Sequence, residues 1–234
     1  MRLIFVRHGE PDYQNDCLTE NGRIQAHHTA ERLKNENITA VYSSPMGRAV
    51  ETAAYTAKMH GLNVNVLDFM HEIDWGDVNK NALENKLEYD GHPWMLGFKL
   101  LAEFPRFVGS ADWSRHHFFK DNICLEYYKK ISQSFDEFLA SFGLIRKDGL
   151  YYYQIPCNDT VALFAHGGSG AVMFSHVLNL PFPFVLTTMP YGVCSVSVVD
   201  FTPQLEKIVV PRLELFNDMA HLKNVKLEKL HFEK

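Results

Sequence analysis

Short apolar runs at residues 2–6, 38–42 and 160–165 contain no regular polar alternation. Runs of this kind read as strands buried on both faces, which predicts a parallel sheet. Each is followed at once by small or polar residues: Arg7-His8-Gly9, Ser43-Ser44-Pro45 and His166-Gly167-Gly168. Helical patterns come next. Thr19 is placed to cap a helix reaching about Asn35, with Ile24, Ala30 and Leu33 on one side. Ser44 and Pro45 suit the N-cap and first residue of a helix through Ala49, Val50, Ala53, Ala54 and Ala57, which Gly61 would stop. A third helix is expected from near Ser169 to about Leu178, and residues 63–69 and 195–201 read as further strands. Strands alternating with helices predict an α/β fold with right-handed crossovers.

The stretch from about residue 78 to 158 breaks this rhythm. It is rich in aromatic residues and reads as helical at 82–89, 94–104 and 122–142. We take it as a helical insertion within one domain spanning 1–234, packed as a lid over the ligand-binding edge of the sheet. The tail from Leu213 alternates charge and apolarity and gives no clear assignment.

Composition narrows the classes. The chain has 234 residues, 46% hydrophobic and 22% charged, which excludes a disordered chain. Its formal charge of −5 argues against a general nucleic-acid binder, although a local cationic pocket is compatible with it. No apolar run reaches the eighteen or so residues that cross a bilayer, and the apolar stretch at the N-terminus, soon met by charge, reads as too short for a signal peptide. A cytoplasmic protein without membrane or nucleic-acid partners is the expectation. Cys17, Cys124, Cys157 and Cys194 form no CxxC pair and read as free thiols. Oligomeric state is not legible.

In an open parallel sheet, ligands bind beyond the carboxyl ends of the strands. Arg7, His8, Ser43, Ser44 and His166 all fall there, and Arg48 lies one helical turn further on. Two arginines and two histidines gathered in an acidic protein repel one another unless an anion joins them, and guanidinium groups suit phosphate. Arg48 also opposes its own helix dipole, a locally poor choice that points to function. Gly167 and Gly168 allow close backbone approach to an oxyanion. A neutral imidazole there can attack phosphorus without a metal, provided that a carboxylic acid protonates the leaving group. Glu72, among apolar neighbours after the strand at 63–69, is the candidate.

These residues resemble a known family. Arg7-His8-Gly9-Glu10, Leu18-Thr19-Glu20-Asn21-Gly22 with Gln25-Ala26, Ser43-Ser44-Pro45 with Arg48-Ala49 and Glu51-Thr52, Glu72 with Trp75-Gly76, and Ala165-His166-Gly167-Gly168 are similar to the successive motifs of the histidine phosphatase superfamily, the phosphoglycerate mutase-like clan. The resemblance covers residues 1–77 and 160–200 and implies a three-layer α/β/α sandwich with a mostly parallel sheet. It implies that His8 becomes a phosphohistidine and that Arg7, Arg48 and His166, with Gly167 alongside, hold the phosphoryl group. Glu72 would then be the acid and later the base, and Gln14 would stand at a further phosphate contact, usually Asn. No metal and no cofactor are implied, and the substrate would be a small phosphorylated metabolite.

Against the mutase branch, only Asn15, Asp16 and Cys17 separate Gln14 from Leu18, where mutases carry a longer loop. Gly168 replaces their usual Asn, and Trp75 replaces their Tyr. A phosphatase is therefore the reading adopted, with a cofactor-dependent mutase as the alternative. Two others are weaker: a serine hydrolase built on Ser169, Asp200 and His221, and a non-catalytic phospho-ligand binder. The neighbouring pairs His27-His28 and His116-His117 are not read as metal ligands.

Overall fold

The computed structural model describes residues 1–76 and 93–226. The expected helix at 82–89 and the end of the tail lie outside the described residues. In chain order the elements are β1 (Arg2–Arg7), β2 (Pro11–Asp12), β3 (Cys17–Leu18), α1 (Glu20–Leu33), β4 (Ile38–Ser43), α2 (Gly47–His60), β5 (Val64–Val66), α3 (Pro93–Glu103), α4 (Cys124–Ala140), β6 (Leu144–Lys147), β7 (Leu150–Tyr153), β8 (Thr160–Ala165), α5 (Gly167–Leu178), α6 (Phe182–Thr188), β9 (Val196–Asp200), β10 (Ile208–Val209) and β11 (Arg212–Asp218).

The main sheet has the order β11-β9-β1-β8-β4-β5. Pairing is parallel from β1 through β8 and β4 to β5, and antiparallel on the other side, where β9 joins β1 to β11. Successive side chains of a strand point to opposite faces. Leu3 and Phe5 accordingly join a cluster with Phe135, Val172 and Phe182, while Ile4 and Val6 pack with Leu33, Ala53 and Ala57. Helices α1 and α2 thus cover one face and α4, α5 and α6 the other, which makes three layers.

Several local expectations hold for the reasons given. Thr19 accepts the Gly22 N–H as N-cap of α1, and Gly61 ends α2 in the left-handed conformation, φ 66°. Others need correction. Ile24 is exposed, because the buried stripe of α1 runs instead through Gly22, Gln25, Ala26, Thr29, Ala30 and Leu33. Ser44 and Pro45 do not open α2. The helix begins at Gly47 with Met46 at the cap position, so Ser44 stays extended with its hydroxyl available for another partner. The strand expected at 63–69 is only Val64–Val66, followed by a single 3-10 turn, Asp68–Met70. Helix α5 starts at Gly167, which places both glycines inside its first turn.

The insertion is not wholly helical. Residues β6 and β7 form a hairpin whose two-residue loop, Asp148-Gly149, has positive φ at both positions (53° and 80°), as a type I′ turn requires. The tail's alternation is explained by β11, a partly exposed strand at the sheet's edge.

Helix α4 is held in the core through Phe135, which is buried and stands 5.6 Å from Phe138 of the same helix and 6.5 Å from Phe69 of the 3-10 turn, ring to ring. Phe135→Ala should cost about 3–5 kcal/mol, read as a lower urea midpoint with an unchanged slope. A loss under about 1 kcal/mol would show that α4 contributes little to the core.

Candidate active site

The parallel strands end together, and their last peptide groups are tied to one another. His8 N–H donates to the Ala165 carbonyl at 2.9 Å, and Ser44 N–H donates to the Phe164 carbonyl at 2.9 Å. This brings His8, Ser44 and His166 to one corner although up to 158 residues separate them in sequence. The rings of His8 and His166 lie 5.1 Å apart, centroid to centroid, and both are buried.

Each imidazole is oriented. His8 Nδ1 stands 2.7 Å from the Gly9 carbonyl oxygen. A carbonyl only accepts, so Nδ1 carries the proton and Nε2 keeps its lone pair. His166 Nε2 stands 2.6 Å from Ser44 Oγ, which itself accepts the Met46 N–H at 3.2 Å. Among the described residues no other acceptor meets the Ser44 hydroxyl. His166 Nδ1 is buried and has no partner among the described residues. Burial first, and then the Arg7 guanidinium, pushes the His8 pKa down to about 3. Burial lowers that of His166 as well, with His8 and Arg48 adding to it. Both imidazoles are neutral near pH 7.

The two guanidinium groups flank them. Arg7 Nη1 donates to the Tyr191 carbonyl at 2.8 Å, and Arg48 Nη1 donates to Asp16 Oδ1 at 2.6 Å. The Nε atoms of both arginines are buried and have no hydrogen-bond partner among the described residues. Each therefore offers unspent donor capacity to an anion lying between them.

Glu72 crowns the first turn of α5. Its Oε1 accepts the N–H groups of Ile73 (3.0 Å) and Ser169 (2.9 Å), and its Oε2 that of Gly168 (3.2 Å). A Cβ on Gly168 would stand 2.5 Å from Ile73 Cγ1 and 2.7 Å from Glu72 Oε1, so glycine is what lets the carboxyl settle there. Glu72 is half-buried, less shielded than its apolar neighbours suggest. Gly167 lies beside the cradle: a Cβ there would be 3.7 Å from both Arg7 Cζ and Trp94 Cζ2. Trp94 of α3 thereby walls the site as well as filling the insertion's core.

Other motif residues hold the frame. Glu10 accepts from Thr19 Oγ1 (2.8 Å) and Asn21 Nδ2 (2.7 Å), Gln25 Oε1 accepts the Glu10 N–H (2.8 Å), and Glu51 accepts the Leu18 N–H (2.7 Å). Thr52 takes the Gly9 N–H at 3.0 Å and donates to the Arg48 carbonyl at 2.7 Å, linking the His8 loop to α2. Gln14 is exposed and engages Asp12 only through its backbone N–H, 3.0 Å. The residue at the cradle is Asp16 instead. Tyr191 was also unread, its hydroxyl donating to the Gly167 carbonyl at 2.6 Å.

The serine-hydrolase arrangement is not assembled. Ser169 lies beyond the carboxyl end of β8, whereas Asp200 pairs in register with Arg2, at the opposite end of β1. Five residue steps of a strand put them about 16 Å apart or more. Asp200 is bound to Arg212 at 2.5 Å, and His221 faces Thr29 and Cys194. The pair His116-His117 packs among Phe104, Phe107 and Phe118. Among the described residues no three His, Cys, Asp or Glu side chains converge as a metal site would need.

Residues 3–97 match the family model described as histidine phosphatase superfamily (branch 1). Over those residues the chain is similar to that superfamily. A probable phosphoglycerate mutase GpmB from Yersinia enterocolitica is 25% identical over 244 aligned residues, covering 98% of this chain and 99% of the relative. The GpmB of Photorhabdus laumondii is 31% identical over 94 residues, 36% of this chain and 44% of its own length. Among solved structures, a phosphoserine phosphatase from Entamoeba histolytica in complex with 3-phosphoglyceric acid superposes with a TM-score of 0.63 at 23% identity, covering 94% of this chain and 98% of that one. The alpha-ribazole phosphatase of Shigella flexneri does so with a TM-score of 0.60 at 16% identity, over 93% and 96%. The chain thus shares the α/β/α fold of these solved structures.

The neutral histidines set a pH dependence. An unfolded histidine gains its proton as the pH falls through about 6.5, while folded His8 holds out until about 3. Between those values the unfolded chain binds more protons, so stability falls with falling pH. His8→Asn should flatten the pH dependence of the unfolding free energy between about pH 6 and 4 by about 1.4 kcal/mol per pH unit. An unchanged slope in urea denaturation would show that His8 is charged in the native state.

Proposed function

We propose that this chain is a metal-independent phosphomonoesterase acting on a small phosphorylated metabolite through a phosphohistidine. The observation that carries the reading is His8: a buried imidazole, neutral, with Nδ1–H pinned to the Gly9 carbonyl, lying between two arginines with spare donors. The phosphoryl group lies between Arg7, Arg48 and His166, with the first turn of α5 beneath it. His8 Nε2 attacks phosphorus in line as the ester P–O bond breaks, and Glu72 gives its proton to the departing oxygen. Glu72 then takes a proton from water, the hydroxide attacks phosphorus, the P–N bond breaks, and phosphate leaves with His8 neutral again. Of the carboxyl oxygens, Oε2 accepts one backbone N–H against two for Oε1, which supports Oε2 as the carrier of the mobile proton. The guanidinium groups supply the charge stabilisation that a metal provides elsewhere.

Two features favour hydrolysis over mutase chemistry. Gly168 has no room for the Asn that mutases carry unless Ile73 and Glu72 move. Trp75, at the position of the mutase Tyr, stacks on Phe182 at 6.0 Å and 16°, which commits it to packing. The names of the curated relatives keep the mutase reading open to test, as transfer between 2- and 3-phosphoglycerate.

Hydrolysis of an aryl phosphate should survive EDTA, be inhibited by vanadate and disappear in a folded His8→Ala variant. A requirement for added Mg²⁺, or full activity without His8, would refute the mechanism. Glu72→Gln should lower kcat/KM for alkyl phosphates by about a hundredfold or more and for aryl phosphates far less. Equal losses on both would move the acid role to another group.

A further inference from the structure

Arg48 is the second residue of α2, where the positive end of the helix dipole opposes a cation. It is nevertheless only 5% exposed. The helix also lacks a side-chain cap of its own, since Met46 stands at the cap position. One residue from a distant turn answers both deficits. Asp16 Oδ2 accepts the Gly47 N–H at 2.7 Å, and Asp16 Oδ1 accepts Arg48 Nη1 at 2.6 Å. The fit is close, because a Cβ on Gly47 would lie 2.1 Å from the Asp16 carbonyl oxygen. Asp16 itself has φ 47°, a left-handed conformation that its surroundings must hold in place.

The pairing determines how Arg48 presents itself. Nε and Nη2 share one edge of a guanidinium, and Nη1 lies away from it. With Nη1 bound to Asp16, that edge is left over: among the described residues Nε is buried without a hydrogen-bond partner, and Nη2 donates only to Met46 Sδ at 3.2 Å, a weak acceptor, while the Tyr13 ring lies 5.4 Å from Cζ. Arg7 follows the same plan, with Nη1 held by the Tyr191 carbonyl and Nε unpartnered.

We propose that Asp16 is a positioning residue that anchors Arg48 by Nη1 and so aims its Nε–Nη2 edge at the phosphoryl group. The inference rests on the phosphate-cradle reading above. Its carboxylate stands on the far side of the guanidinium from that edge, and it organises the cradle without occupying it.

The test is the affinity of the full chain for inorganic vanadate and inorganic phosphate, by calorimetry, in wild type, Asp16→Asn, Asp16→Ala, Arg48→Ala and the double variant Asp16→Ala/Arg48→Ala. Asp16→Ala should weaken both anions about tenfold or more, the worth of one charge-assisted hydrogen bond. Asp16→Asn keeps an acceptor for Gly47 and should fall between, which preserves the test if the alanine variant folds poorly. Because Asp16 acts through Arg48, the double variant should bind no worse than Arg48→Ala alone. Unchanged or tighter binding in Asp16→Ala and Asp16→Asn overturns the proposal, and so does a further loss in the double variant. If wild type binds neither anion, the cradle reading itself falls and the role of Asp16 with it.

Discussion

Two guanidinium groups and two imidazoles share one buried corner, and the structure tolerates this only because the imidazoles stay uncharged. Four cations, three of them buried, would repel at close range in a medium that screens poorly. Burial drives the histidine pKa values down, and each arginine adds to the effect. The consequence is a neutral imidazole with a free lone pair beside fixed positive charge, the combination that the proposed attack on a phosphate dianion requires. Each arginine is steadied by one acceptor, the Tyr191 carbonyl or the Asp16 carboxylate, and each retains an unpaired Nε. The binding groups are in this sense preorganised: their geometry is fixed before any ligand arrives.

The fold supplies that geometry through backbone pairing rather than through the site's own contacts. Strands β1, β8 and β4 run parallel and in register, so their carboxyl ends coincide. Helix α5 begins directly at the end of β8, which directs its first N–H groups to Glu72. A second group of polar residues does no chemistry but fixes the loops. Glu10, Gln25, Glu51 and Thr52 satisfy backbone N–H groups or cap residues around the His8 loop. These motif residues are thus scaffold, which accounts for their polar side chains beside the core.

Much of this was legible before any coordinates. The three unalternating apolar runs marked buried parallel strands, and Thr19 and Gly61 carried enough local chemistry to fix two helix ends. The convergence of Arg7, His8, Arg48 and His166 followed from topology, because every open parallel sheet gathers what lies past its strand ends. What escaped depended on contacts between distant segments. Ser44 resembled an N-cap because its local sequence suits one, but tertiary pairing with His166 claimed its hydroxyl. Gln14 occupied the expected motif position, yet the short turn leaves it in solvent and delivers Asp16 instead. The 144–153 hairpin had a local signal, Asp148-Gly149, which the aromatic run beside it obscured. Tyr191 left no trace, since it holds Arg7 through a backbone oxygen that any residue would possess and its hydroxyl meets the Gly167 carbonyl only through tertiary folding.

The account stands on His8 as the group that bonds to phosphorus. The direct measurement is to quench the enzyme during turnover of an aryl phosphate and characterise the phosphorylated protein by ³¹P NMR and peptide mapping. The account predicts a base-stable, acid-labile phosphoramidate on the peptide that contains His8. An acid-stable phosphoester, or a phosphoramidate on His166 with His8 unmodified, would contradict it.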